Sequence, residues 1–212
     1  MKITAISDLH GFYPKLEGGD LLIVAGDLTA RHSKEEALDF IYWLAEQDYK
    51  EKIIIAGNHD TFLIHNKSWF LDELEHISKS VYLCDSGAEF EGLRIWGSPW
   101  TETFPKMNPK CKAFTVDTEK ELAEKWDLIP EDTDILITHS PPYGILDNEH
   151  GCVHLRNTVL NSIRLPNLKL HAFGHIHECG GKVFETSLTK FVNSSIMNEN
   201  YKPVNKPINI DL

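Results

Sequence analysis

Ile53-Ile54-Ile55-Ala56-Gly57-Asn58-His59-Asp60 is the stretch on which the reading of this chain turns. Three consecutive β-branched apolar residues predict a strand covered on both faces. Gly57 predicts a turn, and the three side chains after it are polar and able to bind a metal. Such a group makes a poor core and a good site. Ligands of α/β folds collect outside the carboxyl ends of strands.

The same arrangement recurs outward from this stretch. Lys2 to Ser7 alternates as a strand and ends on Asp8-Leu9-His10-Gly11. Asp20 to Ala25 is a buried strand that ends in Gly26-Asp27, Asp134 to Thr138 ends in His139-Ser140-Pro141-Pro142, and Leu168 to Phe173 runs into Gly174-His175-Ile176-His177. Ser33 is an N-cap before a helix from Lys34 to about Gln47, with Ala37, Leu38, Ile41, Leu44 and Ala45 at helical spacing. Further helices are predicted at Ser68 to Glu75, at Thr118 to Trp126, where Thr118 and Glu121 match a capping box, and at Val153 to Ile163. Short strands follow from Val81 to Cys84, Ala88 to Phe90 and Leu93 to Trp96, with edge strands at Lys182 to Glu185, Phe191 to Asn193 and Ile208 to Asp211. Thr101 to Val116 lacks periodicity and reads as a long surface loop, a kind that is usually functional or mobile. Strands alternating with helices give an α/β class, organised as one domain over residues 1–212.

Composition narrows the possibilities. Of 212 residues, 42% are hydrophobic and 25% charged, an ordinary globular balance. Apolar runs fall far short of the roughly 20 residues that cross a bilayer, and Met1 to Asp8 enters a strand pattern without a secretory apolar region. The expected location is cytoplasmic, with no membrane partner. Cys84, Cys111, Cys152 and Cys179 show no CxxC spacing, so they read as reduced structural thiols, with Cys179 of interest because it follows His177 closely. A formal net charge of −11 argues against a nucleic-acid polymer as partner, since such binding needs a basic face.

Five strand ends thus offer Asp8 and His10, then Asp27, then Asn58, His59 and Asp60, then His139, then His175 with His177. Any one fragment arises readily by chance; what gives the set weight is position. A largely parallel sheet brings these ends to one edge. His, Asp and Asn without Cys form a mixed nitrogen–oxygen donor set suited to Mn²⁺, Zn²⁺ or Fe.

The order D-x-H, G-D, G-N-H-D, T-H and G-H-x-H resembles the calcineurin-like metallophosphoesterases, carried by Asp8-Leu9-His10, Gly26-Asp27, Gly57-Asn58-His59-Asp60, Thr138-His139 and Gly174-His175-Ile176-His177. Gly97-Ser98-Pro99-Trp100-Thr101, Trp126-Asp127-Leu128-Ile129-Pro130 and Gly151-Cys152-Val153 look like the metallophosphoesterase-domain (MPPED-type) subgroup. The resemblance implies a four-layer α/β/β/α sandwich of two mixed sheets. It implies two divalent metal ions, Mn²⁺ first with Fe, Zn²⁺, Ni²⁺ or Co²⁺ also suited. Asp8, His10 and His177 would hold one ion, Asn58, His139 and His175 the other, and Asp27 would bridge them. Some members of that subgroup have glycine at the position of His175; this chain keeps the histidine. Asp60 stands where Glu is frequent.

By the same resemblance, two cations about 4 Å apart polarise a phosphoryl oxygen and acidify a bridging water, whose hydroxide attacks phosphorus. His59 would contact the phosphate and protonate the departing alkoxide, and Asp60 would hydrogen-bond His59 and fix its tautomer. The implied activity is hydrolysis of a small phosphodiester, a 2′,3′- or 3′,5′-cyclic nucleotide. The alternatives are a phosphomonoesterase, for which Arg31 is the nearby cation, a nuclease, and a low-activity nucleotide-binding scaffold. Trp100, Phe104 and the lysines between 106 and 112 are candidates for a base-stacking lid, His150 and His154 read as surface residues that flank the loop after His139 and could touch substrate, and His171 reads as a packed, non-ligating histidine.

Overall fold

Ile53, Ile54 and Ile55 divide by parity. Ile53 and Ile55 point into an apolar layer between two sheets, whereas Ile54 points the other way, toward helices. The computed structural model describes residues 1–103 and 111–212. In chain order its strands are β1 (Lys2–Ile6), β2 (Gly19–Ala25), β3 (Tyr49–Ile55), β4 (Val81–Tyr82), β5 (Ser86–Phe90), β6 (Leu93–Ser98), β7 (Thr101–Glu102), β8 (Thr115–Val116), β9 (Ile135–Thr138), β10 (Leu170–Phe173), β11 (Lys182–Glu185), β12 (Lys190–Asn193) and β13 (Ile208–Asp211). The α-helices are α1 (Lys34–Ala45), α2 (Thr61–Glu73), α3 (Glu119–Trp126) and α4 (Val153–Val159).

One sheet has the order β13-β1-β2-β3-β4 and the other β11-β12-β10-β9-β6-β5. Both are mixed. β1 through β4 run parallel with β13 antiparallel at the edge. In the second sheet β12, β10, β9 and β6 are parallel, flanked by antiparallel β11 and β5. Ile3, Ala5, Leu21 and Ile23 face Ile95, Ile135, Ile137 and Ala172 across the gap. Outside the first sheet, Leu22, Val24 and Ile54 pack on Phe40, Ile41, Leu63 and Phe70 of α1 and α2. Outside the second, Leu136, Phe173 and Phe191 meet Leu122, Trp126, Leu155 and Val159 of α3 and α4. These are the four layers α/β/β/α. Covered on both faces, the central strands need the continuous apolar runs seen in the sequence.

Several boundaries differ from expectation. The helix predicted from Ser68 begins at Thr61 instead, directly after the Asp60 turn. Its apolar spacing is broken at Asn66, which leaves helical geometry while its side-chain amide donates to Phe62 O at 3.0 Å. It passes into a wider turn over Leu74–Ser78. The helix at Val153 stops at Val159, four residues short of Ile163, because Arg164 N and Leu165 N turn back onto Asn161 O. β12 is an interior strand rather than an edge, with β11 outside it. The segment read as a loop from Thr101 to Val116 carries the small pair β7 and β8 at its ends. Among the described residues no helix is long and apolar enough to cross a membrane.

Candidate metal centre

Parallel strands β1, β2 and β3 of one sheet and β9 and β10 of the other end together, so the five motifs meet across the gap between sheets. The turns after β1, β2 and β10 need tight backbone. Asp8, His10, Asp27 and His175 all take the left-handed region, at φ 55°, 44°, 53° and 69°. Such values are uncommon for residues other than glycine and gather at functional sites. Close approach also fixes two glycines. A Cβ on Gly57 would overlap the Asp27 carboxylate, and one on Gly174 would overlap Ser7 Oγ and Asp8 Oδ2.

Asp27 lies at the middle. Its Oδ1 accepts from His59 N at 2.8 Å. Its Oδ2 faces His10 Nε2 at 3.7 Å on one side and His139 Nε2 at 3.4 Å on the other. On the His10 side, His177 Nε2 is 3.3 Å from Asp8 Oδ1 and 3.3 Å from His10 Nε2. On the His139 side, Nε2 is 3.0 Å from Asn58 Oδ1. The His175 ring lies tilted at 58° with its centroid 4.9 Å from that of His139, and its backbone N–H donates to Asp8 at 3.0 Å. Three groups bring ligand atoms within 4.8 Å of one another: Asp8, His10 and His177; Asp8, Asp27 and His139; and His10, Asp27 and His59. The first contains the three residues expected at one ion, whereas the second joins Asp27 and His139 with Asp8 and does not include Asn58 or His175. The third places His59, read from sequence as outside the ligand set, within reach of His10 and Asp27.

The donor set fits divalent cations, and the fit follows from proton bookkeeping. His139 Nδ1 lies 2.9 Å from Ala25 O and His177 Nδ1 3.2 Å from Asn198 O. A carbonyl can only accept, so both Nδ1 atoms carry hydrogen and both Nε2 atoms turn lone pairs inward. An inward lone pair against Asp and Asn oxygens requires positive charge between them, a proton or a metal ion. With protons alone, burial opposes a charged His139 but Asp27 outweighs it and raises the ring to about 9. Burial likewise opposes charge on His177, yet Asp8 raises it. His10 and His175 go the other way, lowered by burial to about 4 and about 3. The acids stay ionised: burial works against charge on Asp8 and Asp27, but the histidines hold both below the usual carboxylate range.

Two expected roles change. Asp60 does not orient the His59 ring. Its carboxylate accepts from Gly57 N at 2.8 Å, Leu28 N at 3.2 Å, Thr29 N at 3.0 Å and Thr29 Oγ1 at 2.9 Å. It ties the Asn58 turn to the Asp27 turn from beneath, fully buried. The group beside the His59 ring is Cys111, its Sγ 3.3 Å from Nδ1, brought there as Ala113 N donates to Asn58 O at 3.2 Å. Trp100 is no lid. Its Nε1 donates to Asp85 Oδ2 at 2.7 Å and Lys125 Nζ stands 4.0 Å above its ring. The remainder of the proposed lid, Phe104 and the lysines of 106 to 110, lies outside the described residues.

A cavity of about 320 Å³ opens over the cluster, reached by Asp27, Asn58, His59, His175 and His177. His150, one of the two histidines read as surface residues within reach of substrate, lines it, whereas His154 pairs with Asp127 at 3.5 Å on the surface. Arg31 is not among its lining residues; the Arg31 backbone N–H donates to Glu36. Cys179, flagged for its closeness to His177, is also not among them. His171 is packed, 2.8 Å from Thr138 Oγ1. Five contributors had no sequence signal as site residues: Cys111, Tyr201, and the glutamates Glu102, Glu178 and Glu199 at the mouth.

A double-sheet sandwich carrying a mixed nitrogen–oxygen cluster across its strand ends is the architecture of the metallophosphoesterases. The chain belongs to the calcineurin-like phosphoesterase family, whose model matches residues 1–179. It is 38% identical, over 239 aligned residues, to human metallophosphoesterase domain-containing protein 1, covering 100% of this chain and 71% of the relative. A Caenorhabditis elegans relative, UPF0046 protein T07D4.2, is 35% identical over 93% of this chain and 56% of its own length. The crystal structure of TT1561 of Thermus thermophilus superposes with a TM-score of 0.64, covering 91% of this chain and 88% of that one at 18% identity, a likeness of fold.

Proposed function

We propose that the chain is a phosphodiesterase that uses two divalent ions, Mn²⁺ foremost, to hydrolyse a small phosphodiester of cyclic-nucleotide size. One observation carries this reading: two ligand groups share acids around Asp27, and among the described lining residues of the cavity none is lysine or arginine. A phosphomonoester dianion gains from cations beyond the metals, whereas a diester bears a single negative charge. Glu102, Glu178 and Glu199 at the mouth disfavour further anionic charge by simple repulsion. The volume suits one small molecule, and the same carboxylates oppose a polyanionic strand.

Asp8, His10, Asp27 and His177 would hold one ion, with Asn58, His139 and His175 on the far side of Asp27. Bound ions supply Lewis-acid stabilisation of the phosphoryl oxygens and a water acidic enough to attack near neutral pH. The protein's own contribution is positional. Carbonyls of Ala25 and Asn198 hold the two imidazoles in their ligating tautomer. His59, fixed through its backbone N–H on Asp27 Oδ1, presents its ring to the cavity and can give a proton to the departing alkoxide.

The test is a hydrolysis assay on Mn²⁺-loaded protein, with an EDTA control, that pairs a 2′,3′-cyclic nucleotide with its monoester product. Cleavage of the diester with the monoester left intact is the expected result. Faster cleavage of the monoester would replace this reading with a phosphatase, and no cleavage with both ions bound would favour a binding scaffold.

A further inference from the structure

Met197 and Pro203 pair as an antiparallel bridge, and Asn198 N donates to Lys202 O at 2.9 Å. Glu199, Asn200 and Tyr201 form the three-residue loop between them. Tyr201 N donates back to Asn198 O at 2.9 Å, and Asn198 Oδ1 accepts from Asn200 N and Lys202 N at 3.0 Å each. The third residue of such a loop lies in the left-handed region, where glycine is at ease. Here that residue is Tyr201, at φ 55°. A bulky side chain is conformationally unfavourable there, and strain of this kind gathers at functional sites.

The ring reaches the candidate metal centre. Its centroid is 4.9 Å from that of His177, 5.0 Å from His10 and 6.1 Å from His59. The Asn198 carbonyl that accepts Tyr201 N also receives His177 Nδ1, so the loop is tied to a ligand. Tyr201 nonetheless leaves 52% of its surface exposed and lines the cavity. Core packing explains neither the residue nor its exposure. Among the described lining residues of the cavity none is lysine or arginine, and this ring is the largest aromatic surface among them.

We propose that Tyr201 is the platform that selects the substrate's organic group, its ring stacking on a nucleobase while the phosphate occupies the ligand cluster. Glu199, in the same loop and also lining the cavity, is an acceptor for an exocyclic amino group. This deepens the phosphodiesterase reading and rests on it for the phosphate's location. The platform assigned from sequence to Trp100 moves to Tyr201.

The experiment is calorimetric binding of AMP and of ribose 5-phosphate to Mn²⁺-loaded protein, for the native chain and for Tyr201→Phe, Tyr201→Ala and Tyr201→Gly. Stacking on an aromatic side chain predicts AMP tighter than ribose 5-phosphate by roughly 5- to 100-fold in the native chain. Tyr201→Phe keeps that ratio. Tyr201→Ala and Tyr201→Gly lose it with ribose 5-phosphate affinity unchanged, and Tyr201→Gly, which suits the loop, melts no lower than the native protein. An equal affinity for both ligands in the native chain, or a ratio that survives in Tyr201→Gly, overturns the proposal. The ratio held without any diester cleavage would support the platform while removing the proposed reaction.

Discussion

Cys111 Sγ stands 3.3 Å from His59 Nδ1, the closest side-chain partner recorded for the residue expected to protonate the leaving group. Burial raises the thiol to about 11, so it stays neutral at physiological pH. A neutral thiol exchanges a hydrogen bond with the ring and holds its plane. Cys111→Ala is expected to lower kcat about five-fold on a nucleoside leaving group, the worth of one modest hydrogen bond. With p-nitrophenolate leaving, which needs little protonation, the loss shrinks. Cys111→Ser restores most of it. A loss of equal size on both leaving groups would mean that the thiol supports the fold and not His59.

His59→Ala separates proton donation from metal binding. As a general acid, His59 should be worth about 10²- to 10⁴-fold on poor leaving groups, with both ions retained by elemental analysis. The grouping of His59 with His10 and Asp27 makes ion loss a real alternative outcome. Full turnover of a nucleoside diester by His59→Ala would remove the residue from the mechanism. Asp27→Ala provides the contrast: facing His10 and His139 at once, its loss is expected to abolish binding of both ions together with activity.

The strand ends could be read from sequence because local chemistry dictates them. Runs such as Ile53-Ile54-Ile55 require cover on two faces, and the polar groups after them have only the sheet edge to occupy. Side-chain direction was not readable in the same way. Asp60 follows His59 in the chain, yet the Gly57–Asp60 turn sends its carboxylate back to Gly57 N and across to Leu28 and Thr29. Trp100 resembled a lid until Asp85, fifteen residues away, captured its indole N–H. Tyr201 lies in an Asn-rich turn of surface composition, and its left-handed backbone and its ring contact with His177 emerge only in the fold. In each case the decisive partner, Leu28 and Thr29 for Asp60, Asp85 for Trp100 and His177 for Tyr201, lies well away in the chain, even where a local turn also sets the direction.

Asp60 gives a stability prediction distinct from catalysis. Burial and the nearby Asp27 raise its carboxyl to about 7, and the donors converging on it hold the charge. Asp60→Ala would orphan three buried backbone N–H groups, at about 1–3 kcal/mol for each unsatisfied group. A loss of roughly 3–5 kcal/mol in urea unfolding is expected. Asp60→Asn loses less, since one oxygen still accepts. An Asp60→Ala protein of native stability that lacked activity would instead restore a direct role toward His59.

Metal loading and pH are coupled with a definite sign. Without ions, His139 is raised to about 9 and His177 is also raised, while His10 and His175 are neutral near pH 7. Protonated His139 contributes stability that is present in full below the unfolded value of 6.5 and is lost as pH rises through about 9, and His177, also raised, contributes with the same sign. Divalent ions must displace those protons, so their affinity rises over the same interval and loading releases protons. Between pH 6.5 and about pH 9, EDTA-treated protein should therefore become easier to unfold in urea while the stabilisation gained from Mn²⁺ grows. Calorimetry in buffers of different ionisation enthalpy counts the protons released on loading, with release from His139 expected near pH 7, His177 adding to it in the same direction, and the number falling as the pH rises. Release of none near pH 7 would mean that the two rings already present free lone pairs and that the cluster is held together without them.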